Sequence, residues 1–277
     1  MISSFLLSLR EGLEAALIVG LVLGVLQKMA KGEFKIAVWM GVFCATLMSF
    51  LIAYGLRLIG LELEGIAEHI FEGSTMFLAA LVLTWMIFWM NAQSNRLRLG
   101  MEAEVKQALA SSGARAIFAI VFVAVLREGI ELALFLTAAS FSSNMQSLWL
   151  GSILGLGITI VFGVILYKST VHINIKRFFQ ITGLVLLLFS AGLVGHAVKE
   201  FIELGWIPPL INQVWNINSI INENSIFGGL LESLFGYNAN PSLVEIMAYL
   251  VYLSGIGIVL YRKSLFVQRT KTEIHAE

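Results

Sequence analysis

The chain has 277 residues, of which 58% are hydrophobic and only 13% charged, well outside the balance of a soluble globular domain. Eighteen basic and eighteen acidic residues leave no net charge, which argues against a nucleic-acid partner. Every acidic residue is Glu and the single cysteine, Cys44, lies in an apolar run, which excludes an internal disulfide and a thiolate metal site.

The natural solvent of such a chain is lipid, and apolar segments long enough to span about 30 Å of hydrocarbon occur at seven places. They run over 2–26, 36–59, 70–91, 116–138, 148–168, 178–200 and 243–262. The first lacks a basic leader, and Arg10, Glu11 and Glu14 interrupt it, so it is expected to stay in place as a helix rather than be cleaved as a signal. Lipid cannot satisfy backbone polar groups, so each span must be helical and the expected fold is an all-α polytopic membrane protein.

Basic residues set the expected orientation. Lys28, Lys31 and Lys35 follow the first span, and Arg96, Arg98, Lys106 and Arg115 the third. Lys168, Lys176 and Arg177 follow the fifth, and Arg262, Lys263, Arg269 and Lys271 the last. Arg10, Arg57, Arg127 and Lys199 fall within or at the ends of spans, so the loops of the other side have no Lys or Arg. The N-terminus is therefore expected outside and the C-terminus in the cytoplasm. One outer connection, 201–242, is long, and long loops are usually functional or disordered. Its spaced apolar residues, from Trp206 and Trp215 to Leu234 and Phe235, predict short amphipathic helices lying on the bundle. It ends at Ser242, which has capping-box spacing to Glu245.

Residues 9–17 read LREGLEAAL and residues 126–134 read LREGIELAL, seven of nine positions identical. The first copy lies on a span running inward and the second on a span running outward. That is the mark of an inverted repeat, whose substrate site sits near the midplane where the repeats meet. The expected organisation is a single permease-like domain. Its first repeat covers 1–91 and its second 116–200, followed by the outer loop 201–242, a last helix over 243–262 and a tail over 263–277.

Each charge at a helix centre costs about 2.5 to 3.5 kcal/mol on insertion scales, so the six motif charges need compensation. Arg10 can pair with Glu14 and Arg127 with Glu131, four residues on, while Glu11 and Glu128 share a face with those glutamates. One Arg cannot neutralise two carboxylates. As a purely structural lock the motifs would need charge balance, which the surplus acid denies them. A bound cation would supply it. Gly12 and Gly129 remove bulk beside the carboxylates and are expected to let the two motif helices approach each other. Four converging carboxylates without thiolate or imidazole favour a hard cation: iron, manganese or magnesium.

A second acidic region lies on the outer side. Glu64, Glu68 and Glu72 are spaced by four, leading into the third span, and His196, Glu200 and Glu203 share a face at the outer end of the sixth. Such a surface attracts cations, although solvated helix ends look the same. The Trp85, Phe88, Trp89 cluster reads as an interfacial belt. The methionines read as packing, and His69, His172 and His275 as isolated residues.

These residues give the chain a resemblance to the oxidase-coupled iron permease family, most closely to bacterial high-affinity members of the EfeUOB type. It rests on REGLE at 10–14, REGIE at 127–131, FEG at 71–73 followed by LTWMIFWM at 83–90, and SIFGGLLESLFGYNANPS at 225–242. The resemblance implies iron import across the bacterial cytoplasmic membrane. Glu11, Glu14, Glu128 and Glu131 would then be iron ligands and Arg10 and Arg127 their organisers, with Glu72, Glu203 and the loop-motif Glu232 as entry residues, to which the acidic stripe adds Glu68. At Glu232 the chain departs from relatives that have Glu-Gly, since Ser233 follows it. The family also implies a periplasmic iron-binding protein and a haem peroxidase as partners. Iron itself is expected as substrate, with no tightly bound cofactor and no enzymatic activity of the chain's own. Two other readings stay open: a manganese or magnesium carrier, and a membrane metalloenzyme or redox sensor, although the Glu-x-x-His pairs of intramembrane di-iron enzymes are absent from the sequence.

Overall fold

The computed structural model describes residues 1–93, 103–109, 113–168, 175–222 and 225–274. Among these, seven helices of 24 to 32 residues dominate: α1 (Ile2–Lys28), α2 (Lys35–Glu62), α3 (Ile66–Gln93), α4 (Ala114–Phe141), α5 (Met145–Lys168), α6 (Ile175–Glu203) and α8 (Leu243–Ile274). A shorter helix, α7 (Ile226–Phe235), lies in the long connection. No strand occurs among the described residues. Arg96, Arg98 and the histidines at 172 and 275 lie outside the described residues.

Each predicted span falls on one long helix, and most helices run a few residues further at one or both ends. Hydropathy marks the apolar slab, whereas hydrogen bonding carries the helix on into polar flanks. The largest difference is α8, which continues to Ile274 where a tail was expected from 263. No Gly or Pro interrupts residues 258–274, so nothing in that stretch stops the helix.

Five helices, α2, α3, α5, α6 and α8, are long and apolar enough to cross a membrane. The other two, α1 and α4, each carry three motif charges close together. Both contribute side chains to the interior. Leu7, Met76, Leu83, Phe135, Leu186 and Leu193 from α1, α3, α4 and α6 form one apolar core. Val22, Leu26, Val38, Val121 and Val125 from α1, α2 and α4 form a second. Large apolar side chains of α2, α5 and α8 instead face outward, among them Phe43, Phe50, Ile160 and Val251.

The principal contacts are α1 on α5, α2 on α4, α3 on α6, and α1 on α4. Exchanging α1, α2, α3 for α4, α5, α6 maps this set onto itself. Small residues make two of these contacts close. A Cβ built on Gly155 of α5 would lie 2.6 Å from the Phe5 carbonyl oxygen and 2.9 Å from the Leu9 nitrogen of α1. One turn on, Thr159 Oγ1 donates to the Leu9 carbonyl at 3.3 Å. On the other side, a Cβ on Gly41 of α2 would lie 3.0 Å from the Phe118 carbonyl oxygen of α4. Gly41, Ala45 and Ser49 of α2 thus do for α4 what Gly151, Gly155 and Thr159 of α5 do for α1.

The long connection between α6 and α8 departs from expectation. Over 204–222 it forms turns and irregular backbone, and only α7 is helical. Pro208 and Pro209 cannot donate within a helix, and Asn216 accepts the Asn218 N–H at 3.2 Å, a local bond that competes with helix formation. The segment is nevertheless tied down. Val214 N–H donates to the Pro241 carbonyl at 3.0 Å, Ile217 N–H to Ala239 at 3.1 Å, and Leu243 N–H to Ile211 at 3.1 Å. The capping box forms as expected: Ser242 N–H donates to Glu245 Oε1 at 3.1 Å and Glu245 N–H to Ser242 Oγ at 3.3 Å.

Candidate metal site

Both motifs lie at the contact between α1 and α4. In α1, Arg10 Nε donates to Glu14 Oε1 at 3.2 Å; in α4, Arg127 Nε donates to Glu131 Oε1 at 2.9 Å. These are the i,i+4 pairs that the spacing requires. The first glutamate of each motif, Glu11 or Glu128, has no such partner. Both carboxylate oxygens of Glu11 are buried without a hydrogen bond, as are Oε2 of Glu128 and Oε2 of Glu131. Glu11 is 1% exposed and Glu128 5%. A buried carboxylate left unpaired is costly unless it gains a counter-charge or a proton.

One oxygen from each of Glu11, Glu128 and Glu131 lies within 4.8 Å of the others, close enough for one ion to touch all three. Glu14 stands outside this trio, its Oε1 held by Arg10. Two guanidinium groups face four carboxylates here, so the site carries a surplus of two negative charges when all are ionised. With oxygen donors alone, it suits a hard cation.

The glycines act differently from expectation. A Cβ on Gly12 would lie 2.7 Å from Thr159 Oγ1 of α5, and one on Gly129 would collide with the Ser49 side chain of α2. Each admits the neighbouring small-residue helix; neither faces the opposite motif.

Surroundings also separate the two copies. Arg10 is fully buried, with Nη1 and Nη2 lacking partners. The Arg127 side chain is 46% exposed, and its guanidinium lies 5.0 Å from the centre of the Trp89 ring. Trp89, read from sequence as part of an interfacial belt, thus reaches the motif. No local spacing announces this, because Trp89 and Arg127 lie on different helices.

A second group gathers at the adjoining ends of α3 and α6. His69 Nδ1 lies 2.7 Å from Glu200 Oε2 and 3.7 Å from Glu203 Oε2. Lys199 Nζ approaches the other oxygen of Glu203 at 3.9 Å. Glu72 is half-buried and within electrostatic reach of Glu68, His69, Glu200 and Glu203. The sequence reading placed His196 in this group. Its Nε2 is instead buried and unpartnered, and the residue lines a separate cavity with Trp215, Tyr237, Glu245 and Tyr249. The histidine that does join, His69, read as isolated because its partners are more than a hundred residues away. Glu64 precedes α3 in the turn at Gly65, so the regular stripe begins only at Glu68. Glu232 sits half-buried on α7 and belongs to neither group.

Residues 1–273 match the model of the iron permease FTR1 family. The chain is 34% identical over 253 residues to the ferrous iron permease EfeU of Escherichia coli O6:K15:H31, covering 90% of this chain and 91% of that protein. The EfeU of Yersinia pestis is 34% identical over 251 residues, with 90% and 89% covered. A protein of Escherichia coli K12 whose name calls it an inactive ferrous iron permease is equally similar, at 34% over 253 residues. No solved structure matches the chain. Matched over nearly its whole length, this chain belongs to the iron permease FTR1 family.

Proposed function

We propose that the chain imports iron across the bacterial cytoplasmic membrane through seven spans, N-terminus outside, with the ion held near the midplane by the motif carboxylates. The observation that carries this reading is the trio of buried oxygens from Glu11, Glu128 and Glu131, contributed by both motif helices. The exchange symmetry of the helix contacts supports an inverted repeat of α1–α3 against α4–α6, with α8 added. In such an arrangement α1 and α4 cross the bilayer inside a sheath of apolar helices, which is how charged helices tolerate that position. The relatives' names specify ferrous iron, and Fe(II) is the substrate form proposed here.

In this mechanism Arg10 and Arg127 each hold one oxygen of Glu14 and Glu131, leaving Glu11, Glu128 and the second oxygen of Glu131 to take the ion. Glu14 acts at an adjacent stage of passage. Glu72, Glu68 and Glu203 lie along the outer approach, with a periplasmic iron-binding protein and a haem peroxidase as partners in uptake. The test is radiolabelled iron uptake into sealed proteoliposomes. Glu11→Gln and Glu128→Gln are expected to abolish accumulation at equal protein level, and normal uptake in both would remove the site from the mechanism.

An all-oxygen site also admits manganese. Suppression of iron uptake by a slight excess of Mn(II), with Mn(II) itself accumulated, would favour that second reading. Metal bound only in proportion to protein, with no filling of the vesicle lumen, would point to a metalloenzyme or sensor.

A further inference from the structure

The inner trio cannot by itself reject the commonest hard divalent cations, because Mg(II) and Ca(II) also prefer carboxylate oxygen. Nitrogen is the donor that separates first-row transition metals from them. Among the described residues, the one other group able to surround a cation contains such a donor: His69 of α3 with Glu200 and Glu203 of α6.

Its geometry is not that of three charged side chains loosely sharing a surface. Glu200 is 13% exposed, and its backbone is held against α3, where a Cβ on Gly73 would lie 3.2 Å from Glu200 Cβ and 3.0 Å from the Phe201 ring. That close approach brings His69 Nδ1 to 2.7 Å from Glu200 Oε2, with Glu203 Oε2 at 3.7 Å. His69 and Glu203 keep partial access to water, at 32% and 44% exposure, which leaves open positions for an ion to arrive and leave. Lys199 competes weakly for the far oxygen of Glu203 at 3.9 Å and does not approach the facing one.

We infer that His69, Glu200 and Glu203 form a second cation site, mixed nitrogen and oxygen, which takes up a divalent transition metal ahead of the carboxylate trio and discriminates against magnesium and calcium. The ion occupies the position between Nδ1 and the two carboxylates, the imidazole proton then residing on Nε2. The placement of this site on the outer face, and its order before the trio, rest on the import reading; its existence does not.

The experiment uses the purified full-length chain in nanodiscs with Mn(II) as the paramagnetic probe, read by electron spin-echo envelope modulation. A coordinated imidazole gives nitrogen-14 modulation, which carboxylate oxygens alone do not. It is expected in the wild type, in His196→Gln, and in the Glu11→Gln, Glu128→Gln double variant, and to vanish in His69→Gln. In the double variant background, Glu200→Gln and Glu203→Gln are each expected to weaken Mn(II) binding by about tenfold or more. A hundredfold excess of Mg(II) is expected to leave the nitrogen-coupled signal in place. Bound Mn(II) without nitrogen modulation, modulation that survives His69→Gln, or displacement by Mg(II) would each overturn the inference. Failure of the import reading would appear separately, as unchanged uptake in the trio variants with the nitrogen signal intact.

Discussion

The two motif copies share seven of nine residues and the same internal ion pair, yet they sit in opposite surroundings. Arg10 is sealed in the interior with two unpartnered nitrogens, whereas Arg127 is nearly half exposed and rests on Trp89. Identical local chemistry therefore does not mean identical roles. In α1 the guanidinium is a buried countercharge whose loss leaves acid stranded. In α4 it reaches the surface of the chain beside an aromatic ring. The carboxylates blur this distinction, since the trio draws one member from α1 and two from α4.

The largest effect should come from the shared element. Neutralising Glu11 or Glu128 is expected to reduce iron uptake to background, and retention of uptake in one variant alone would show that the trio is not used as a unit. Next come the arginines. Arg10→Met and Arg127→Met each strand a glutamate that is only 15% or 13% exposed, but only Arg10 is itself sealed in, so its loss is expected to cost more, about 3 to 5 kcal/mol. Thermal unfolding of both variants in detergent measures the difference, and equal shifts would erase the contrast. The glycines should behave alike. Gly12→Ala and Gly129→Ala each overpack a close contact, at a cost of about 1 to 3 kcal/mol. Pairing Gly129→Ala with Ser49→Gly should restore stability, and no recovery would place the clash elsewhere. The smallest effect is that of Trp89→Leu, expected to remove about 0.5 to 1 kcal/mol of cation–π attraction. It should change uptake only where Arg127 is intact, and a double-mutant cycle with Arg127→Met reads that coupling.

Much of this arrangement is legible in the residues. Continuous apolar runs locate the seven long helices among the described residues, and the repeated LREG announces the motif helices. The i,i+4 pairing of Arg10 with Glu14, and the Ser242–Glu245 cap, depend on spacing along one helix and so can be read directly. What depends on contacts between helices cannot. Nothing near His69 points to Glu200, and nothing near Gly129 points to Ser49. The correspondence of Gly41, Ala45 and Ser49 with Gly151, Gly155 and Thr159 preserves only smallness, which sequence identity does not register. Residues 204–222 misled in another way. Their spaced apolar residues suggested helices, but prolines withhold a backbone donor and asparagine side chains offer the backbone other partners.

Those small-residue faces bear on how the molecule can move. Where backbones touch, sliding would drive atoms into one another, so α1 with α5 and α4 with α2 are each bound to behave as a single stiff plank. Every plank takes one helix from either half of the chain. The seam between the planks runs between α1 and α4, past the oxygens of Glu11, Glu128 and Glu131, so a shift of one plank against the other would change the spacing of those oxygens.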